Sequence, residues 1–251
     1  QLISAPNELD GTAEVKSSDS FQGAGVTMNR CLRRWCDPCC GETAAEVSLL
    51  GGYRFYKYDS NLSVGEDLTV LPGTLTPLVP GTTFELQDSF RTRNEFNGGE
   101  VGLQAYSWRH WWWVDGMAKL AMGMQQRSVT IDGETTIDVP GGGTFTGAGG
   151  LLTAESTNIG NYDDANFVLI PEFRLGAGAK ITPWLAVHVG YNLILWDDVA
   201  RAGSSLPSDL GVDGRNLPPP QAGGGAAPEF PGIRGSQLVA HGLDAGAMCQ
   251  W

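Results

Sequence analysis

The end of the chain alternates between two kinds of side chain, and this feature constrains the fold most. If residues 239–251 form a β-strand, successive side chains point to opposite faces. One face then carries Val239, Leu243, Ala245, Ala247, Cys249 and Trp251, and the other carries Gly242, Asp244, Gly246, Met248 and Gln250. Because the first face is apolar and ends on an aromatic ring, the segment predicts a strand with one face toward an apolar environment.

The same alternation recurs along the chain between stretches rich in glycine and proline. It is clear in 45–58, 101–107, 112–124, 167–181 and 185–195, and weaker in 21–30 and 84–93. Residues 59–82 leave room for a further strand. The pattern therefore predicts about eight strands.

Segment lengths favour a membrane-spanning sheet. No apolar run reaches the roughly 20 residues that a membrane-spanning helix needs, because Glu172 and Arg174 interrupt even 167–181. The alternating segments instead run near or beyond the roughly 9 to 11 residues with which a tilted strand crosses a bilayer. We therefore predict an all-β fold: an antiparallel transmembrane up-and-down β-barrel, or part of a larger one, with long loops. Residues 21–251 would form the barrel, and residues 1–20 an N-terminal extension or a remnant of an upstream barrel.

Connections and tryptophans give this barrel a direction. The connections at 109–110 and 182–183 are tight, whereas 128–166 and 197–236 are long. In outer-membrane barrels short turns face the periplasm and long loops face outside. Six tryptophans near the tight turns or the terminus are predicted to form a membrane-interface girdle on one rim: Trp108, Trp111, Trp112, Trp113, Trp184 and Trp251. Trp196 would belong to the opposite girdle, or face the lumen rim.

Several groups of polar residues are candidate sites. Charged residues assigned to the inner face would line the lumen: Arg91, Arg93, Glu100, Asp115, Lys119, Glu172, Arg174 and Lys180. Hairpin pairing would bring together four carboxylates: Asp163, Asp164, Asp197 and Asp198. Together they could bind calcium, or Arg201 could neutralise Asp164 across the ladder. A solvated rim is the simpler reading of the carboxylates, and no other metal site is predicted.

The cysteines cluster at one connection. Disulfides are the favoured reading of Cys31, Cys36, Cys39 and Cys40, because an exported protein more often staples such a loop than binds metal with a single Cys-x-x-Cys pair. Cys249 falls on the outward face of the last strand.

Composition and motifs argue against two classes of function. A net charge of −12 argues against sequence-independent binding to nucleic acid, which depends on lysine and arginine. The three histidines, His110, His188 and His241, show no spacing typical of a catalytic triad, and no glycine-rich stretch has the lysine of a phosphate loop. We therefore predict neither an enzyme nor a bound cofactor.

Several motifs together carry a resemblance to a known family. They cover most of the chain from about Ser17 to Trp251 and lie at 50–55, 59–62, 91–102, 119–123, 156–160, 171–173 and 190–196. The chain resembles the putative beta-barrel porins, family number seven, a group of bacterial outer-membrane proteins. The terminal Asp-x-Gly pattern ending on Trp251 also resembles the assembly signal of outer-membrane barrels.

The resemblance implies a location in the bacterial outer membrane and a passive role as a porin, a structural barrel or a subunit of a larger envelope assembly. Its partners would be outer-membrane lipid and other envelope proteins or further copies of the chain. The alternative reading is a secreted, soluble β-sandwich that binds carbohydrate or protein through the long loops. Detergent dependence distinguishes the two.

Overall fold

The protein forms one antiparallel β-sheet. The computed structural model describes residues 9–36, 43–73, 78–206 and 228–249. Eight strands, β1 to β8, span Leu9–Cys36, Thr43–Val70, Thr83–Arg109, Trp112–Val139, Gly143–Ala148, Gly160–Thr182, Leu185–Ala200 and Gly235–Cys249. One short 3-10 helix, Ala202–Ser205, follows β7. Within these described ranges no helix is long and apolar enough to span a membrane.

The strand order is that of an up-and-down sheet. Neighbours follow the chain as β1-β2-β3-β4-β6-β7-β8, every pair is antiparallel, and the short β5 pairs with the far end of β4. The sheet curls into a half-barrel, so the predicted all-β up-and-down architecture is confirmed. The described residues contain no second sheet of the kind that the β-sandwich alternative requires.

Both edge strands of this sheet run in the same direction. The path from β1 to β8 contains seven strands, because β5 lies off it, and each strand runs antiparallel to its neighbour.

The connections differ in length between the two ends of the sheet. The three connections at one end are 37–42, 110–111 and 183–184. Those at the other end are 71–82, 140–159 and 201–234, so short turns and long loops lie at opposite ends, as predicted.

The strands are longer than the alternating segments that predicted them. Strands β1, β2 and β4 each have 28 residues and β3 has 27. The segments 84–93 and 101–107 are parts of β3, and the second half of β2 fills the first half of the room left at 59–82. Strand β1 begins at Leu9 and passes without interruption through residue 20, the predicted boundary of the barrel.

The convex outer face changes from apolar to polar along each long strand. On β4, the outward residues of 114–124 are glycine or apolar. Those of 126–138 are all polar. The cross-strand partners place the same change on neighbouring strands. One outer row reads Leu49, Leu103, Ala118, Phe173 and Leu193 on β2 to β7, with Arg30 and His241 at its ends on β1 and β8. Another row, ten residues away along β2, β3, β4 and β6, reads Ser20, Asp59, Arg93, Ser128 and Asp163. We call the two regions the apolar band and the polar outer surface.

The concave face behind the polar outer surface holds the hydrophobic core. Fully buried side chains there include Phe90, Phe96, Val129, Ile131 and Trp196. The pattern of β3 explains this, because its even-numbered residues from Phe84 to Phe96 are buried while their odd-numbered neighbours are mostly exposed. In this half the sheet therefore follows the rule of a water-soluble barrel, with apolar residues inside.

Residues 196–205, which we call the inner segment, lie on this concave face. The ring of Trp196 lies 6.0 Å from that of Tyr56 on β2 and 6.3 Å from that of Phe21 on β1, measured between centroids. Its indole N–H donates to Gln125 Oε1 at 2.6 Å. Trp196 is therefore buried on the concave side of the sheet. Of its two predicted positions, the one on the opposite girdle was wrong, and the inward phase of its strand decides where the ring lies.

Hydrogen bonds attach the inner segment to the middle of the sheet. The Asn94 side-chain amide donates to Ala200 O at 2.8 Å, and its oxygen accepts from Ala200 N at 2.7 Å. Thr92 Oγ1 also donates to Ala200 O, at 3.1 Å. Because buried polar groups need partners, these bonds explain why two polar residues stand in the apolar interior of β3.

Candidate functional site

A cluster of four charged side chains lies on the concave face behind the apolar band. It consists of Arg54, Glu100, Lys119 and Glu172, and we call it the charged cluster. Glu100 accepts from Arg54 at 2.8 Å and from Lys119 at 3.4 Å, and Glu172 lies 3.1 Å from Lys119 and 3.6 Å from Arg54. The side chains of Glu100 and Lys119 are 1 % and 5 % exposed. Two cations and two anions thus neutralise each other in the interior.

The charged cluster spans the inside of the curled sheet. Arg54 belongs to β2 and Glu172 to β6, and two strands, β3 and β4, separate them in the sheet. The Tyr56 hydroxyl also donates to Glu172, at 3.1 Å, and Thr27 of β1 donates to Glu100. Side chains of β2 and β6 therefore meet on the concave face at this level.

A second group of charges lies closer to the short turns. Arg174 is 3.5 Å from Asp115 and 3.3 Å from Asp244. Asp244 also lies 3.6 Å from His188 Nε2 and accepts from the Asn192 amide at 2.8 Å. His188 thus has a carboxylate neighbour, but no serine, threonine or cysteine of the described residues completes a hydrogen-bonded nucleophile with it.

The structure places most of the predicted lumen residues on the concave face. Lys180 shares their phase at the end of β6 but is exposed. The five that lie within the two groups of charges are Glu100, Asp115, Lys119, Glu172 and Arg174.

Arg91 and Arg93 do not lie on the inner face. Both side chains are 58 % exposed on the polar outer surface, where Arg91 pairs with Asp132 at 2.5 Å and Arg93 with Asp59 at 3.2 Å. Strand β3 pairs with both neighbours without a bulge, so odd-numbered Arg91 and Arg93 cannot share a face with even-numbered Glu100. The prediction was wrong because it assigned the charged residues of segment 84–93 to the inner face, whereas in this part of β3 the even-numbered residues are the buried ones.

The four predicted calcium ligands do not converge. Arg127 forms a bidentate pair with Asp164, at 2.8 and 2.6 Å, and also lies 2.7 Å from Asp198. Asp163 and Asp197 are exposed. Over the described ranges no group of three or more acidic, histidine or cysteine side chains is arranged to hold a metal ion. Arg127 neutralises Asp164, because the ladder pairs β4 with β6 at this position, whereas Arg201 was the cation named in the alternative to calcium binding.

Asp88 attaches a long loop to the inner face of β3. Its carboxylate accepts from the backbone N–H groups of Leu151 and Leu152, each at 2.9 Å, and from Thr153 Oγ1 at 2.5 Å. A Cβ atom at Gly150 would lie 2.2 Å from Asp88 Oδ1, so only glycine leaves room for the carboxylate. Asp88 is 1 % exposed, and this burial raises its pKa despite the opposing effect of the donated hydrogen bonds.

The raised pKa of Asp88 predicts a pH dependence of stability. Between the ordinary pKa of about 4 and the raised one, the folded chain holds a proton that the unfolded chain has released, so stability falls as pH rises through this window. Relative to an Asp88→Asn variant, the unfolding free energy of the wild type should decrease as the pH is raised above about 4, and it should stop changing once the pH exceeds the raised pKa. Chemical unfolding of both proteins across the window measures this, and parallel profiles would contradict it.

The cysteine prediction falls mostly outside the described part of the chain. Cys39 and Cys40 lie there, and so does the side chain of Cys36. Cys31 and Cys249 carry free, exposed thiols. Cys31 is thus not in a disulfide, and a disulfide among Cys36, Cys39 and Cys40 stays a prediction.

Aromatic side chains gather at the short-turn end. Trp108 and Trp113 are direct cross-strand partners, and Trp111 lies in the turn between them with 58 % of its surface exposed. Trp184 lies in the other described short turn and is 57 % exposed. The remaining members of the predicted girdle are Trp112, which starts β4, and Trp251, which lies outside the described residues.

Sequence reasoning missed four residues that shape the interior. Arg54 and Tyr56 lie in a segment that was predicted to be a strand. Both have even numbers, whereas the apolar residues Val47 and Phe55 have odd numbers, and this alternation could have placed Arg54 and Tyr56 on the inner face. Asp88 and Arg127 lie in the parts of β3 and β4 nearer the long loops, and these parts were predicted weakly or not at all.

Comparisons with known proteins agree with this architecture. The family model described as Putative beta barrel porin-7 (BBP7) matches residues 1–251, which is the whole chain. No curated protein and no solved structure matches. The resemblance drawn from the motifs is confirmed, and the chain belongs to the Putative beta barrel porin-7 family.

Proposed function

We propose that the protein is a passive, non-enzymatic β-barrel component of the bacterial outer membrane. The apolar band lies in the lipid, the short turns face the periplasm and the long loops face outside. The polar outer surface then projects beyond the membrane as a water-exposed extension of the same sheet. Membership of a barrel porin family supports this location.

The change from the apolar band to the polar outer surface is the observation that carries the proposal. On β4 the band extends from Val114 to Met124. Eleven residues at about 3.3 Å each, tilted by about 40°, span about 28 Å, which fits the apolar height of a membrane barrel. A soluble sheet would have no reason to limit apolar outward residues to a zone of this height on adjacent strands.

Behaviour in detergent tests the membrane assignment. The full chain should need detergent to stay monodisperse and should float with lipid vesicles in a density gradient, because the exposed side chains of the band include Leu103, Phe167 and Leu175. A chain that stays monodisperse in plain buffer and sediments apart from the vesicles would overturn the assignment.

A filled interior supports a passive role with little conductance. The charged cluster crosses the space between β2 and β6, and the inner segment packs against the sheet farther from the short turns. Ions would have to break buried pairs to pass these two levels.

Planar-bilayer recordings test this part of the proposal. The reconstituted protein should give few and small current steps beside an open general porin recorded in the same membranes. Large and stable channels would contradict an obstructed interior while leaving the membrane assignment intact.

A further inference from the structure

A cleft of about 440 Å³ opens at the short-turn end of β3, β4 and β6. Five aromatic and three basic residues line it. Trp108 and Trp113 lie in the inward phase of their strands, as do Tyr106 and Lys180, so half of the lining residues belong to the concave side. Interface tryptophans that contact lipid would be expected on the outer face.

The aromatic wall of the cleft is held by its surroundings. The rings of Tyr106 and Trp108 lie 5.2 Å apart with an angle of 47° between their planes. The ring of Trp113 lies over Gly178 of β6, where a Cβ atom would approach it to 2.1 Å. The absence of a side chain at Gly178 thus allows Trp113 to lie against the sheet and present its other face to the cleft.

The charge of the cleft is opposite to that of the protein. The chain has a net charge of −12, yet no carboxylate lines the cleft. The nearest inward carboxylate on β4, Asp115, is directed to Arg174 at 3.5 Å. Lys180 is exposed, and none of the described residues forms an ion pair with its ammonium group. Its backbone N–H donates to Trp111 O at 2.6 Å, which attaches it to the turn.

We propose that this cleft binds small carboxylates that carry a flat or ring-shaped apolar face, such as aromatic or sugar acids. The ring stacks on the wall formed by Trp108 and Trp113, and the carboxylate pairs with Lys180. Charge complementarity selects the anion, and the aromatic wall selects the ring. The binding does not depend on conduction through the barrel, so it goes beyond the proposed function.

Calorimetry on the full chain in detergent tests the ligand class with four probes. Benzoate, which has both features, should bind with a dissociation constant of about 1 mM, as expected for so small a ligand. Benzyl alcohol lacks the charge and acetate lacks the ring, so each should bind about tenfold more weakly or not measurably. Inorganic phosphate should bind no better than acetate. Tighter binding of phosphate than of benzoate would mean a headgroup site and would overturn the proposal.

Matched variants test the residues. Lys180→Gln should weaken benzoate binding about tenfold while leaving the weak binding of benzyl alcohol unchanged. Gly178→Val, which displaces the Trp113 ring, should weaken both ring compounds. The controls are Trp184→Leu, on the same rim but outside the cleft, and Lys16→Gln, on the polar outer surface. If the controls weaken binding as much as Lys180→Gln and Gly178→Val do, the proposal is wrong.

Discussion

Replacing Lys119 with methionine is expected to lower the free energy of unfolding by about 3 to 5 kcal/mol, because it leaves two buried carboxylates with one cation and so one negative charge uncompensated. Lys119 is the only cation besides Arg54 within 4 Å of Glu100 and Glu172 among the described residues. Methionine keeps nearly the same length and volume, so the loss reports the charge rather than a cavity. Denaturant unfolding followed by tryptophan fluorescence in lipid vesicles measures it.

The matched control is the same substitution at Lys16. Its pair with Glu14, at 2.8 Å, is 69 % and 67 % exposed on the two side chains. Pairs of this kind contribute at most about 1 kcal/mol, so Lys16→Met should change stability little. Similar small effects at both positions would mean that water solvates the charged cluster, and the obstructed interior would then be wrong.

Replacing Leu103 with arginine is the prediction with the second largest effect. Leu103 is 52 % exposed in the middle of the apolar band, and its outer row contains Leu49, Ala118 and Phe173. If this row lies in lipid, an arginine there lowers the free energy of unfolding by about 2 to 4 kcal/mol. If Leu103 instead faced water, this exposed position would tolerate arginine.

Ser89→Arg provides the control on the same strand and the same face. Ser89 lies on the polar outer surface between Ser63 and Asp132, so an added arginine should change stability by no more than about 0.5 kcal/mol. The difference in unfolding free energy between the two variants shows which of the two positions on β3 lies in the membrane. Equal effects would show that the apolar band does not contact lipid.

The prediction of the fold succeeded where one rule holds along a whole segment. Segments 112–124, 167–181 and 185–195 lie mainly in the apolar band, and there the alternation of outward apolar and inward polar residues located β4, β6 and β7. The placement of short turns at one end of the sheet and long loops at the other followed from the same segments.

The prediction failed where that rule reverses within one strand. On β3, apolar residues have even numbers from Phe84 to Phe96 and odd numbers from Val101 to Ala105. The backbone continues without a bulge, but the environment outside the sheet changes from polar to apolar. From sequence this reversal resembled a break between two strands, so one strand was read as two segments and Arg91 and Arg93 were assigned to the wrong face.

The sequence alone determined the strand periodicity, the order of turns and loops, and the family, because each of these depends on residues close together in the chain or on a pattern along it. Only the tertiary structure decided which residues meet inside. Tyr56 and Glu172 are 116 positions apart, and Trp196 reaches Phe21 across the concave face. Such contacts depend on the curl of the sheet and on the path of the inner segment, which result from the packing of all strands together and leave no local signal.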